Sequence, residues 1–248
     1  MQLKQLCDFC DEYLKVDEFK DYCPNGLQVE ANPEVRRIVC GVTASQALIE
    51  AAIEENADTL IVHHGYFWKG ESQPITGIKG QRIRSLMQNN INLLAFHLPL
   101  DVHAEVGNNV QLGKVMGWEI EGSFGEQGIV FEGSLAEPST LRKLSSEVES
   151  RLDTRVVSIS GGEHRVKKLA WCTGAAQGFI EAAAERGVDA FISGEISEPT
   201  THLARELGIH YLGAGHHATE RYGVQALSVV IAERFGVEQQ FIDIPNPV

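Results

Sequence analysis

The sequence predicts an α/β protein with two similar domains related by internal duplication, each built around a parallel sheet. Short apolar runs typical of buried strands alternate with helical patterns along the 248 residues. Strand–helix–strand units of this kind form parallel sheets with right-handed crossovers. The unit that begins at Val35 also recurs at Val166, 131 residues later, with Asp58 matching Asp189. A repeat of this length indicates that the chain arose by duplication.

The two predicted domains span residues 1–125 and 126–248, with the Gly-rich stretch Gly122–Gly128 at the boundary. Periodicity predicts first-domain helices over 2–16, 43–56, 82–89 and 108–116, and strands over 27–29, 37–42, 59–64 and 92–97. In the second domain it predicts strands over 128–133, 155–159 and 211–215, and helices over 139–152 and about 219–236. The repeat adds a second strand–helix–strand unit that begins at Val166. The last helix, and a final strand over 241–244, could pack back on the first domain.

The composition excludes several classes of function. A net charge of −13 and the lack of clustered Lys and Arg argue against a nucleic-acid-binding surface. No apolar run is long enough to span a membrane, and the N-terminus has no apolar signal core, so we expect a cytoplasmic protein. An odd count of five cysteines indicates reduced thiols. The pair Cys7 and Cys10 lies in a helical pattern, where packing is the better interpretation than metal binding.

Two adjacent histidines, His63 and His64, end the apolar strand that begins at Thr59. Ligands of open parallel sheets bind beyond the carboxyl ends of the strands, so these imidazoles lie where a strand delivers functional groups. Neighbouring strand residues point to opposite faces, so the two rings are better placed for two different ions, or for one ion if the chain bends sharply at Gly65. A pair of inert, hydrogen-bonded histidines at a strand end is the alternative.

A second repeat places a histidine and a carboxylate after a strand in each half. His97 is followed by Asp101, and His216 is followed by Glu220, each four residues later. The two histidines are 119 residues apart. If the halves face each other across a pseudo-twofold axis, these groups converge in the cleft between the domains.

The candidate metal ligands are His63, His64, Asp101, His216 and Glu220. Imidazole and carboxylate donors without a thiolate suit Zn, Mn, Fe, Co or Ni. Five donors are too many for one tetrahedral ion, whereas two divalent ions bridged by a carboxylate and a water leave open positions. The site would then support a metal-dependent hydrolase, with His97 as a general acid or base. The alternative is a non-enzymatic protein that handles metal or is stabilised by it.

Several motifs resemble those of the NIF-three-like family, also called GTP cyclohydrolase I type 2 homologues. They are Asn25–Val29, His63-His64-Gly65, His97-x-Pro99-x-Asp101, Gly215-His216-His217-x-x-Glu220 and the closing Ile242–Pro247. The resemblance implies a two-domain α/β protomer, a toroidal homohexamer and a dinuclear metal site whose ligands fall on the five positions above. It places His97 near the site and His217 outside the ligand set. Guanine-ring opening also needs a base and triphosphate pocket, and the sequence has no P-loop, so the substrate stays unknown.

Overall fold

The structure is a computed structural model that describes residues 1–248. Its first elements are α1 (Leu3–Tyr13), β1 (Gly26–Val29), β2 (Arg37–Thr43), α2 (Gln46–Glu54), β3 (Thr59–His64), α3 (Gly77–Gln88), β4 (Asn92–Ala95), α4 (Leu98–Val102) and α5 (Asn108–Met116). They are followed by β5 (Glu119–Phe124), β6 (Val130–Ser139), α6 (Leu141–Leu152), β7 (Val157–Ile159), β8 (Val166–Cys172), α7 (Ile180–Glu185), β9 (Ala190–Ser193), α8 (Glu198–Leu207), β10 (His210–Gly213), α9 (His216–Thr219), α10 (Arg221–Phe235) and β11 (Glu238–Phe241). None of these helices combines the length and the apolar character that a membrane span requires.

The chain forms two compact units whose limits differ from the predicted domains. Unit 1 comprises Met1–Val106 and Gly223–Pro245, and unit 2 comprises Gly107–Tyr222 and Asn246–Val248. The expected boundary at 125/126 therefore lies inside unit 2. The physical reason is that β5 pairs with β6 and α5 buries Leu112 in the unit 2 core, so both precede the boundary in sequence but belong to unit 2. In turn, α10 and β11 return to unit 1, where β11 pairs with β2.

Unit 1 is a five-stranded sheet covered on both faces. The strand order is β1-β4-β3-β2-β11, and every neighbouring pair is parallel except β1 with β4. Side chains alternate along the strands between two cores, as Ile61 and Leu94 pack with α1 and α10 while Leu60 and Leu93 pack with α2 and α3. Parallel strands buried on both faces have continuous apolar sequences, which explains why their positions could be predicted from the sequence.

Unit 2 has a six-stranded sheet with the order β5-β6-β8-β9-β10-β7. The three central strands β8, β9 and β10 are parallel, and the flanking strands β6 and β7 are antiparallel to them. Here too the strand residues alternate between two cores: Trp171 and Leu212 pack with α5 and α6, while Phe191 and Tyr211 pack with α7 and α8.

The predicted duplication is visible in the topology and in a repeated backbone contact. The order and directions of β1-β4-β3-β2 match those of β7-β10-β9-β8. The Asp58 carboxylate accepts hydrogen bonds from the N–H groups of Arg36 and Arg37 at 2.8 and 3.0 Å. Asp189 accepts the equivalent bonds from two successive N–H groups 131 residues later, both at 2.8 Å. The predicted α/β fold of two similar domains is confirmed.

One buried histidine outside the repeat motifs has a pKa that its burial lowers. His210 is 1% exposed, its Nδ1 accepts a hydrogen bond from the Gly161 N–H, and its Nε2 donates to the His164 carbonyl, both at 3.1 Å. Burial lowers its pKa from the ordinary value, although the bond to the His164 carbonyl acts in the opposite direction. The neutral ring is therefore the form that the folded chain prefers.

We expect the free energy of unfolding to decrease as the pH falls below about 6.5, the ordinary pKa of histidine. The sign follows because the unfolded chain binds a proton there that folded His210 does not yet bind. Above that pH the contribution of His210 to stability is fully present. His210→Asn should lower stability overall but flatten this dependence, measured by urea unfolding at several pH values. The exposed His202→Asn variant is the control and should keep the wild-type slope. An unchanged slope in His210→Asn would contradict the assignment.

Candidate metal centre

Unit 1 carries a group of donors at the carboxyl ends of β3 and β4. β3 ends with His63 and His64, and His97 lies two residues after β4. One ring nitrogen from each of these three histidines lies within 4.8 Å of the others. The short helix α4 follows directly and brings Asp101 one turn further, where its N–H donates to the His97 carbonyl at 3.1 Å. The adjacent strand ends thus deliver four of the predicted residues to one place.

His63 is held in the tautomer that a metal ligand requires. It is fully buried, and its Nδ1 donates to the Phe96 carbonyl at 2.8 Å, so in the neutral ring the lone pair is on Nε2. That Nε2 lies 3.5 Å from Oδ1 of Asp101, which is 4% exposed. A hydrogen bond that fixes the remote ring nitrogen is the usual support of a ligating histidine.

The neighbouring His64 lies close to His63 although the two are adjacent on a strand. Their ring centroids are 4.6 Å apart, and Nδ1 of His64 lies 3.2 Å from the Thr43 hydroxyl. Of the aromatic residues in the following loop, Trp68 reaches the site, with its ring 4.9 Å from that of His97. Tyr66 instead is buried and donates to the Ala44 carbonyl, so it has a packing role.

His97 forms a dyad with a carboxylate that the sequence did not indicate. Its Nδ1 donates to Asp21 Oδ1 at 2.7 Å. The other oxygen of Asp21 accepts from the Asn25 amide at 2.8 Å and from the Leu98 N–H at 2.9 Å. Burial alone would raise the pKa of Asp21, but the hydrogen bonds and the charge of His97 outweigh it and lower the pKa to about 2. Asp21 is therefore an anion at neutral pH and fixes the proton of His97 on Nδ1.

Unit 2 carries the second group of donors, at the end of β10. His216 opens α9, and its Nε2 lies 3.1 Å from Oε2 of Glu220, which is 2% exposed. Its Nδ1 lies 2.8 Å from Oε1 of Glu195. Burial opposes protonation of His216, but the hydrogen bonds and charges of the two glutamates outweigh it and raise its pKa to about 9. A ring proton on Nε2 here occupies the place that a bound cation would take.

A glycine makes room for this second group. Gly174 has φ +67, and a Cβ atom added there would lie 2.2 Å from Oε1 of Glu220 and 3.3 Å from Nε2 of His216. Its N–H donates to the Thr219 hydroxyl at 3.2 Å, which connects the loop after β8 to α9. Only glycine combines this backbone conformation with so close an approach of a side chain.

Both groups have the chemistry that a divalent transition-metal ion requires. Each supplies imidazole nitrogens and carboxylate oxygens, and the ring nitrogens opposite them are held by protein oxygens. Such nitrogen and oxygen sets are typical of Zn, Mn, Fe, Co and Ni sites. His217, which we predicted to lie outside the ligand set, is buried, and its N–H donates to the Val248 carbonyl at 2.9 Å.

Sequence reasoning missed three residues that support these donors. Glu195 carried a signal, because it stands opposite His64 in the repeat at the 131-residue spacing. Asp21 carried none, since it lies in an irregular segment and reaches His97 only through the tertiary fold. Gly174 was one of 24 glycines and could be distinguished only by its contacts.

Replacement of Glu195 by glutamine should weaken metal binding without unfolding the protein. Glutamine keeps the shape but removes the charge that orients His216, and such outer partners are worth about 10–100-fold in metal affinity. We also expect the pKa of His216 in the metal-free protein to fall, as measured by NMR of the ring protons. Glu198→Gln, at an exposed helix position, is the matched control. A variant with wild-type affinity and an unchanged His216 pKa would contradict the role of Glu195.

The fold and these donors define a two-unit α/β protein with candidate metal-ligand groups in each unit. A family sequence model described as Duf34/NIF3 (NGG1p interacting factor 3) matches residues 1–247. The chain therefore belongs to this family.

Individual relatives agree with the family assignment over nearly the whole chain. A protein from Pseudomonas aeruginosa named GTP cyclohydrolase 1 type 2 homolog is 52% identical over 248 residues, which cover 99% of this chain and 98% of that protein. The solved structure of the structural-genomics protein ybgI, of unknown function, is 48% identical, with a TM-score of 0.97 and full coverage of both chains. The structure of TTHA1606 from Thermus thermophilus is 33% identical, with a TM-score of 0.90 and full coverage of both.

Proposed function

We propose that this protein is a metal-dependent hydrolase that binds two divalent ions per chain. The proposed ligands are His63, His64, Asp101, His216 and Glu220. The observation that carries the proposal is the arrangement of His63, whose Nδ1 is hydrogen-bonded to a backbone carbonyl while its Nε2 faces the buried carboxylate of Asp101 at 3.5 Å. The names of the relatives, GTP cyclohydrolase 1 type 2 homologues, are compatible with a hydrolytic reaction.

Each unit carries its own donor group, which supports two ions better than one. Unit 1 offers His63, His64 and Asp101, and unit 2 offers His216 and Glu220. When bound, the ions would supply Lewis acidity and a water of lowered pKa for attack on the substrate.

The dyad of His97 and Asp21 has the geometry to move a proton. Asp21 holds the proton of His97 on Nδ1 at 2.7 Å, which leaves Nε2 to accept a proton from an attacking water or return one to a leaving group. The Trp68 ring, 4.9 Å from His97, covers this side of the imidazole and limits its exposure to water. In this scheme Asp21 orients His97 and remains an anion throughout.

The test combines metal loading with a substrate screen. Full-length protein is stripped with a chelator, reloaded separately with Zn, Mn, Fe(II), Co or Ni, and assayed on phosphate esters, amides and nucleotides including GTP. We expect hydrolysis with at least one metal, lost in His64→Ala and reduced about 10²–10⁴-fold in kcat in His97→Gln. Failure of every loaded form on the panel, with no effect of His64→Ala on any readout, would refute the hydrolase.

The alternative function is metal handling without catalysis. It is favoured by a donor group that contains sulfur, formed by Asp21, Cys23 and His97. It predicts bound metal that exchanges readily with a chelator and no reaction rate on any substrate. A reproducible rate that vanishes together with the metal in His64→Ala would exclude it.

The family resemblance also leads us to propose a homo-oligomer, specifically a toroidal hexamer. Analytical ultracentrifugation of the purified protein tests this directly. A sedimenting species of any other size would contradict the hexamer.

A further inference from the structure

Cys23 lies beside the histidine–carboxylate dyad and outside the proposed ligand set. It is 8% exposed and follows Asp21 in the irregular segment before β1. One donor atom each from Asp21, Cys23 and His97 lies within 4.8 Å of the others. Cys23 also makes no hydrogen bond in the structure, whereas the buried thiol of Cys40 donates to the Ser228 hydroxyl at 3.3 Å. A carboxylate, a thiol and an imidazole therefore converge on one small volume.

We propose that Asp21, Cys23 and His97 form an accessory binding site for one divalent transition-metal ion such as Zn²⁺, Fe²⁺ or Co²⁺. Mg²⁺ and Ca²⁺ bind almost entirely through oxygen, so a site with sulfur and nitrogen donors selects against them. Zn²⁺ accepts all three donor types at about 2.0–2.3 Å. Three protein donors leave one position for water or another ligand, which is typical of open rather than structural sites.

The donors are held in place before a cation binds. The side chain of Asp21 is 3% exposed and is fixed by the Asn25 amide and the Leu98 N–H. Burial, assisted by the charge of Asp21, raises the pKa of Cys23 to about 12. The thiol is therefore protonated without a cation. Coordination forms the metal–sulfur bond and releases the thiol proton to solvent, and a cation bound at Nδ1 of His97 also displaces the proton that this nitrogen donates to Asp21.

The site shares no ligand with the proposed two-ion centre, because Asp21, Cys23 and His97 all lie outside that ligand set. The two would still communicate through His97, whose ring lies 5.1 Å from that of His63. An accessory ion would occupy the residue that we assign to proton transfer. This consequence rests on the proposed hydrolase function, and it predicts that excess Zn²⁺ slows turnover in the wild type but not in Cys23→Ser.

Cobalt spectroscopy tests the site without any assay of activity. Reduced full-length protein, stripped of metal, is titrated with Co²⁺ to saturation in the absence of oxygen. Coordination by a thiolate produces a near-ultraviolet sulfur-to-cobalt charge-transfer band, which nitrogen and oxygen ligands do not give. Since the five ligands of the two-ion centre include no cysteine, such a band reports only on a site that contains sulfur. We expect the band in the wild type and its loss in Cys23→Ser.

Two control variants separate this inference from the proposed function. Cys7→Ser, at a half-buried thiol of α1, should keep the band. Glu220→Gln should also keep it, whether or not the two-ion centre exists. Cobalt bound with visible d–d absorption but no charge-transfer band in the wild type would overturn the inference. So would a band that persists in a folded Cys23→Ser protein or disappears in Cys7→Ser.

If Cys23→Ser does not fold, the wild-type protein alone still tests whether sulfur coordinates the ion. X-ray absorption at the cobalt edge of the saturated protein should show a sulfur scatterer, and a shell of nitrogen and oxygen only would overturn the site.

Discussion

If the proposed metal centre exists, divalent metal should raise the thermal stability of the wild-type protein, and Asp101→Asn is expected to abolish that stabilisation. At a free metal concentration of about 100 times Kd, binding adds about 2.7 kcal/mol to the free energy of unfolding. For a chain of this size that corresponds to a rise in Tm of roughly 5–11 °C. Asparagine preserves the shape of Asp101 but removes a buried negative charge 3.5 Å from Nε2 of His63. The remaining imidazoles would then bind the cation without a neutralising anion. Loss of a residue that only orients a ligand costs up to about 100-fold in metal affinity, so loss of a ligand itself should cost at least that much.

The measurement is differential scanning fluorimetry with and without metal, beside metal content by mass spectrometry. Asp8→Asn, which removes an exposed carboxylate paired with Lys4, is the matched control and should keep the wild-type shift. Each variant's metal-free form is the reference for its own shift, because removal of a buried charge can itself change the unfolding temperature. If Asp101→Asn binds about two ions and shows the full shift, Asp101 is not a ligand.

The fold was largely predictable because its central strands are apolar on both faces. The strand predicted over 59–64 is confirmed as β3, and the helix predicted over 108–116 as α5. The sequence failed at the edges, where strands carry polar residues. β5, with mostly exposed side chains, was not predicted at all. The last strand lies at Glu238–Phe241 instead of 241–244, because parallel pairing of Glu238 with Arg37 sets its register.

The donors were predictable for a different reason. His97 and His216 each precede a carboxylate by four residues, and a short helix spans each interval. In unit 2 this helix brings Nε2 of His216 to 3.1 Å from Oε2 of Glu220, whereas in unit 1 it brings Asp101 to 3.5 Å from His63. Local geometry of this kind is encoded over five residues and can be read from the sequence. The partners Asp21 and Glu195 are not local: they lie 76 and 21 residues from the histidines that they orient. Only the tertiary fold reveals these two contacts, although the repeat already places Glu195 opposite His64.

The repeat also explains why each unit has a similar but not identical donor group. Corresponding strands end at corresponding places, so the duplicated backbone offers two equivalent positions for functional side chains. At the 131-residue spacing, His64 in unit 1 is replaced by Glu195 in unit 2. A donor in one copy thus corresponds to an orienting carboxylate in the other. The backbone framework, marked by the same hydrogen bonds to Asp58 and Asp189, stayed constant while the side chains diverged.

Gly174→Ala should damage both stability and metal binding, and a second glycine allows the two effects to be separated. An alanine at φ +67 costs about 1–2 kcal/mol for the left-handed backbone alone. Its Cβ would in addition lie 2.2 Å from Oε1 of Glu220, which is 2% exposed and has little room to move. Overpacking of this kind typically costs a further 1–3 kcal/mol, about the same as the backbone term or more. Displacement of Glu220 should also weaken metal binding.

Gly187→Ala is the matched control, because Gly187 has φ +69 and no atom within 4 Å of an added Cβ. It carries the same backbone cost without the contact. Urea unfolding of both metal-free variants should therefore show a greater loss for Gly174→Ala, and only that variant should lose affinity in a metal titration. Equal losses of stability with wild-type metal affinity in both would mean that Glu220 can move away freely. The close approach would then have no part in shaping the site.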